Sequence, residues 1–117
     1  MQGPMQFSFV ETMVFTRRLG HLGLEDGLRQ LQLALLENPE AGALDPGTGG
    51  LRKVRMAVPR SGRGKRAGAR VHYLLLPHKR LIYLMYVYGK DETATLNQEQ
   101  KKELRGVVEA IKREHTG

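Results

Sequence analysis

Residues 69–88 read ARVHYLLLPHKRLIYLMYVY, and the architecture turns on how this stretch is taken. It holds two nearly continuous apolar runs, VHYLLL and LIYLMYVY, rich in β-branched and aromatic residues and parted by a short turn that contains Pro77. Runs of this length suit strands better than buried helices. They predict strands over 69–76 and 80–88 joined as an antiparallel hairpin with a tight turn at 77–79. Neither run alternates apolar with polar residues, so both faces of the sheet must be covered there, and helices have to supply the cover.

Working outward, residues 51–58 read as a third strand, linked to the hairpin by the loop PRSGRGKRAG, and the three strands form an antiparallel meander. The preceding NPEAGALDPGTGG, residues 38–50, is a loop by its glycine and proline content. Before it, Leu24, Leu28, Leu31 and Leu35 recur at helical spacing, and Pro39 ends that helix after Asn38. A break at 21–23, a short helix over 12–19 and a strand over 6–10 complete the N-terminal part. At the other end Asn97 fits an N-cap with Gln100 three residues on, and Leu104, Val107, Val108 and Ile111 form one apolar stripe. The expected fold class is α+β: a small antiparallel sheet with N-terminal helices and a C-terminal helix packed on it, one domain over residues 1–117.

The 117 residues include no cysteine, which excludes disulfides, a thiol nucleophile and cysteine-based zinc sites. No run approaches the length needed to span a bilayer, and the opening residues do not read as a signal peptide, so a cytoplasmic protein with no membrane partner is expected. Formal net charge is +7, and its distribution is uneven. Between Pro46 and Lys90 there is no acidic residue, yet 11 of the 19 basic residues lie there. The other 8 basic residues face all 12 acidic ones, so the flanks carry −4. Like charges crowded on one part of a small domain repel one another unless a polyanion is the usual partner, which points to nucleic acid.

Within that segment the loop 59–68 sets Arg60, Arg63, Lys65 and Arg66 among Gly62, Gly64 and Gly68, cations on a backbone able to bend closely around a phosphate. It lacks the GKS or GKT ending of a Walker loop, which argues against a nucleoside triphosphatase. On the flanking strands Lys53 and Arg55 share one face, as do Arg70 and His72. Adjacent faces would gather cations able to stabilise the pentacoordinate phosphate formed when an RNA 2′-hydroxyl attacks its own 3′-phosphate. Clustered positive charge lowers a lysine pKa, which makes Lys65, Lys53 or Lys90 candidates for proton transfer. Of the four histidines only His72 stands beside the cluster, as an acid–base candidate or as a partly buried strand residue. Tyr88, two residues before Lys90, is the tyrosine placed to stack a base. No histidine or carboxylate spacing suggests a metal site, and no cofactor is expected.

In combination, NPEAG-x-x-x-PGTGGLRKVR, GRGKRAGARVHYLLL, IYLMYVYGKDE and L-x-x-EQKKELR resemble the HigB-like branch of the RelE-type toxins of type II toxin–antitoxin systems. The resemblance implies a RelE-like fold, an endoribonuclease that cleaves messenger RNA on the ribosome and so inhibits translation, and neutralisation by a cognate antitoxin, often of helix-turn-helix type. It matches Arg70 to the family's functional arginine on the third strand, Lys53 and Arg55 to lysines on the second, and Gly89 and Lys90 to its C-terminal Gly-Lys pair. The pattern departs at Asp91, where RelE itself continues with an arginine, and in lacking a counterpart of its stacking tyrosine.

The sequence therefore leads to a metal-independent RNase in which Arg70 and Arg66 stabilise the phosphorane and Lys65 and Lys90 transfer protons. Arg52, Lys53, Arg55, Arg60, Arg63 and Tyr88 hold RNA in this reading. Two other readings share the features: a ParE-type inhibitor of DNA gyrase, and a basic nucleic-acid-binding module without catalysis. Codon preference, the antitoxin's identity, the acid and base assignments and the oligomeric state leave no mark in the sequence.

Overall fold

A computed structural model describes residues 6–57, 68–89 and 96–116. The chain opens with β1 (Ser8–Glu11), followed by helix α1 (Met13–Leu22), a single 3₁₀ turn (Glu25–Gly27) and helix α2 (Leu28–Glu37). Next come β2 (Ala43–Leu44), β3 (Arg52–Met56), β4 (Ala69–Leu76), a 3₁₀ turn at Pro77–Lys79, β5 (Leu81–Gly89) and the closing helix α3 (Gln98–Glu114).

The ends of the helices follow from local chemistry. Thr12 caps α1, its hydroxyl accepting from the Phe15 amide at 3.1 Å, and Gly23 ends the helix in the left-handed conformation at φ 68°. The helix expected from Leu24 onward instead begins as a 3₁₀ turn, whose last residue, Gly27, is pressed against the end of β3. A Cβ at Gly27 would stand 2.5 Å from the Ala57 carbonyl oxygen. For α3 the capping box forms as expected: the Gln100 amide donates to the Asn97 side chain at 2.8 Å, and the Asn97 amide to that of Gln100 at 3.0 Å.

The sheet has five strands in the order β1-β5-β4-β3-β2. β3, β4 and β5 form the antiparallel meander read from the sequence. Two strands extend it. β1 lies parallel to β5, with Ser8 opposite Leu81 and Glu11 opposite Leu84, so the sheet is mixed rather than purely antiparallel. β2, only two residues long and inside the segment expected to be loop, pairs with Lys53 and Arg52 of β3.

Each face has its own core. Phe15, Leu19, Leu31 and Leu35 from α1 and α2 pack on one side against Val71, Tyr73 and neighbouring sheet residues. On the other, Val108 and Ile111 of α3 cover Leu51, Leu74, Leu76 and Met85. This two-sided cover explains why the hairpin strands do not alternate.

One irregularity decides what the second face displays. The pairing shifts between His72 and Tyr73: Tyr73 stands opposite Leu84, and His72 opposite Tyr86, which leaves Met85 as an extra residue on β5. Below the bulge, Ile82 and Leu84 belong to the α1/α2 core; a regular strand would send Tyr86 the same way. The added residue reverses the alternation, and Tyr86 packs instead with the α3 core. Tyr88, two residues on, shares that face.

Candidate nucleic-acid interface

Register places the basic residues on two adjacent rungs. Arg55, Arg70 and Tyr88 stand opposite one another across β3, β4 and β5; Lys53, His72 and Tyr86 do so on the next rung. Directly opposed side chains on one face approach to roughly 5 Å at Cβ. Arg55, Lys53, Arg70 and the two tyrosines are thus neighbours on the face that carries α3, beyond the end of that helix's apolar contacts. Arg55 is exposed, Lys53 and Arg70 are half-buried, and Tyr88 and His72 form the buried floor beneath them.

The remaining predicted residues divide. Arg52 points to the opposite face with Val54 and Met56, where its guanidinium donates to the carbonyls of Gly42 at 2.7 Å and Glu40 at 3.5 Å. It clamps the loop before β3 and does not join the two rungs. Tyr88 is 3% exposed and stacks on His72 at 6.0 Å between ring centroids, so its ring is committed to the floor instead of being open to a base. Burial pushes its phenol above the ordinary tyrosine value, against the opposing pull of the Arg70 charge. Tyr86 is the half-exposed aromatic ring of the pair, with the Arg18 guanidinium 4.7 Å above its centroid. Arg18 reaches there from α1, and its Nε donates to the Val87 carbonyl at 2.6 Å, on the length of β5 that β1 is too short to pair. Arg60, Arg63, Lys65, Arg66 and Lys90 lie outside the described residues.

His72 is fully buried, more than the partly buried strand residue expected. Its Nε2 lies 2.8 Å from Asp45 Oδ2, and Lys101 Nζ of α3 reaches Asp45 Oδ1 at 3.2 Å. Burial alone would raise the Asp45 pKa, but hydrogen bonds from His72 and Lys101, reinforced by the Lys101 charge, hold it below the ordinary carboxylate value. The ionised carboxylate only accepts, so His72 carries its proton on Nε2 and donates. Burial pushes the His72 pKa down, outweighing the upward pull of Asp45, and the ring is neutral near pH 7. Asp45 owes its position to a tight loop: Thr48 Oγ1 donates to the Asp45 carbonyl at 2.7 Å and accepts from the Leu51 amide at 3.0 Å. Lys101 also donates to the Pro46 carbonyl at 3.0 Å, and Lys112 to that of Gly49 at 2.8 Å, so α3 is tied along this loop.

No family model matches the sequence. Among solved structures, a mutant of the Escherichia coli toxin RelE in the free state is similar to this chain, with a TM-score of 0.55 over 93% of this chain and 98% of that one. The fold is RelE-like. Sequence identity over the match is 21%, so the correspondence is one of architecture.

On this RelE-like sheet the register sets Lys53, Arg55 and Arg70 side by side, as their strand spacing suggested, and adds Arg18, Tyr86 and Asp45, of which the sequence singled out none. Asp45 sits in a DPG turn, where an aspartate ordinarily caps the turn and faces water. Its 27-residue separation from His72 leaves no periodic trace. Tyr86 was hidden by the bulge. Among the described residues no group of three or more His, Cys, Asp or Glu side chains is arranged to hold a metal ion, and no helix is long and apolar enough to cross a membrane.

Proposed function

We propose that this chain is the toxin of a type II toxin–antitoxin system, an endoribonuclease that cleaves messenger RNA and so arrests translation. The observation that carries this reading is the pair of rungs, Arg55–Arg70 and Lys53, set over an aromatic floor on a RelE-like sheet. Guanidinium and ammonium groups on neighbouring strands form a rigid anion site, and Arg70 at its centre is suited to bidentate contact with a phosphate.

In the proposed reaction an RNA 2′-hydroxyl loses its proton to a base and attacks the adjacent 3′-phosphorus. The P–O5′ bond breaks, the departing 5′-oxygen takes a proton, and the products are a 2′,3′-cyclic phosphate and a 5′-hydroxyl end. Arg70 offsets the charge of the pentacoordinate state, whose two non-bridging oxygens together carry one more negative charge than in the starting diester. No metal is required for these steps.

Lys65 and Lys90 are the proposed proton carriers and Arg66 a second charge stabiliser; Arg60 and Arg63 extend the RNA contacts. The described residues that precede and follow them support this assignment. Met56, Ala69 and Gly89 share the terminal rung of β3, β4 and β5, the rung next to Arg55 and Arg70. We place the activity in the cytoplasm, on messenger RNA held in the ribosome, with a cognate antitoxin, of helix-turn-helix type in the HigB-like branch, masking the same face.

Induced expression of the wild type and Arg70→Ala in bacterial cells tests the reading. Growth arrest with truncated messages from the wild type, and neither from the mutant, is expected. Equal arrest from both, or arrest accompanied by DNA damage with intact messages, would remove the RNase reading and favour a gyrase-directed toxin.

A further inference from the structure

The buried pair that joins the Lys53 rung to the loop before β3 has no part in the chemistry above, and its geometry is unusual. His72 is completely enclosed, donates Nε2–H to Asp45 at 2.8 Å, and among the described residues offers its Nδ1 no hydrogen-bond partner. Buried polar atoms left unpaired are rare and call for a reason. One face of the ring stacks with Tyr88, while Lys53 and Tyr86 are its neighbours along the rung and Arg70 lies two residues back on its own strand. Asp45 and Lys101 complete the charged groups around it, from the loop before β3 and from α3.

We infer that Asp45 and His72 are a positioning pair for the RNA site, in which the carboxylate holds the imidazole as its neutral Nε2–H tautomer and the imidazole holds the Tyr88 floor under Arg70 and Lys53. The inference rests on the RNA-site reading above and adds a regulatory consequence to it. A second proton has only Nδ1 to go to. There it would be a buried donor without an acceptor among the described residues, on a cation facing Lys53 and Lys101, so the ring must leave its seat or disturb the floor to keep it. Neither Asp45 nor His72 touches RNA; both act through Tyr88 and the rung.

This makes a prediction opposite in sign to plain electrostatics. Acidification adds positive charge to a basic protein and ordinarily tightens its grip on phosphates. If the pair positions the site, affinity instead weakens as His72 takes up a proton. The measurement is the Kd of a fluorescent, 2′-deoxy-substituted RNA that cannot be cleaved, at fixed salt from pH 7.5 to 5.0, for the wild type and for His72→Gln. Glutamine keeps an N–H to give to Asp45 and cannot titrate. The expected result is a wild-type Kd about tenfold weaker at the acid end, the size of one lost phosphate contact. His72→Gln, which keeps the N–H given to Asp45 but lacks the ring that stacks on Tyr88, should bind more weakly than the wild type at pH 7.5 and show no further weakening at pH 5.0.

A wild type whose binding tightens or stays level on acidification would overturn the inference, as would an equal weakening in both proteins. If RNA binds neither protein at pH 7.5, the RNA-site reading falls and the inference with it. If His72→Gln does not fold, ¹⁵N NMR of the wild-type imidazole decides: an Nδ1–H tautomer or a doubly protonated ring at pH 7.5 refutes the pair, and a neutral Nε2–H ring whose protonation shifts the Tyr88 resonances supports it.

Discussion

Replacing Asp45 by alanine tests how the loop before β3, strand β4 and helix α3 are held together, because one carboxylate bonds all three. The substitution strands the Nε2–H of a fully buried histidine, and an unmet buried donor costs about 1–3 kcal/mol. Lys101 loses one bond but keeps the Pro46 carbonyl and partial access to water, a loss of at most about 1 kcal/mol. The sum is about 1–4 kcal/mol, or roughly 5–20 °C in Tm for a domain of this size.

Acid should expose the same network in the wild type. The folded pKa of His72 lies below its ordinary 6.5, so the unfolded chain binds that proton first; the associated stability is complete above pH 6.5 and is lost as pH falls from there through the folded value. Asp45, held below 3.8, adds a second loss at lower pH. Urea unfolding at pH 8 and pH 5 measures the mutational loss and the first of the two acid losses. Asp45→Ala within about 0.5 kcal/mol of the wild type at pH 8, or wild-type stability unchanged between the two pH values, would refute the assignment of a buried neutral histidine bonded to an ionised carboxylate.

Three other substitutions probe separate parts. Arg70→Lys retains the charge but not the planar fork, and is expected to lower RNA cleavage about 100-fold in single-turnover assays while leaving Tm within about 1 °C. Tyr73→Phe removes a hydroxyl that accepts from the Gly42 amide at 2.9 Å and donates to the Pro39 carbonyl at 2.7 Å, which should destabilise by about 1–3 kcal/mol in urea titrations. Asn97→Ala breaks the capping box of α3, and calorimetry should show a loss of about 1 kcal/mol.

The sequence disclosed those elements whose own composition specifies them. β4 spans the predicted residues 69–76, and the Asn97–Gln100 box starts α3 where Asn97 announced it. Pairing partners were less visible. Apolar spacing says which face a residue presents but not which strand lies beside it, so the parallel union of β1 with β5 went unread, and two-residue β2 is too short for any pattern. The bulge at Met85 escaped for a related reason: inside LIYLMYVY every residue is apolar or aromatic, and an extra one breaks no alternation. Lys53, Arg55 and Arg70 were legible because charge clustering and the period of a strand are both local signals. Asp45 and Arg18 were not, since a turn aspartate and a helix arginine acquire their meaning only from the residues that folding brings to them.

Cations gathered on two rungs of the sheet are proposed to cut an RNA phosphodiester. The most direct measurement incubates purified protein with ribosomes stalled on a defined message and analyses the cut ends. New fragments bearing 5′-hydroxyl and 2′,3′-cyclic phosphate termini are expected from the wild type and none from Arg70→Ala. Intact message, or fragments with 5′-phosphate ends, would contradict that proposal.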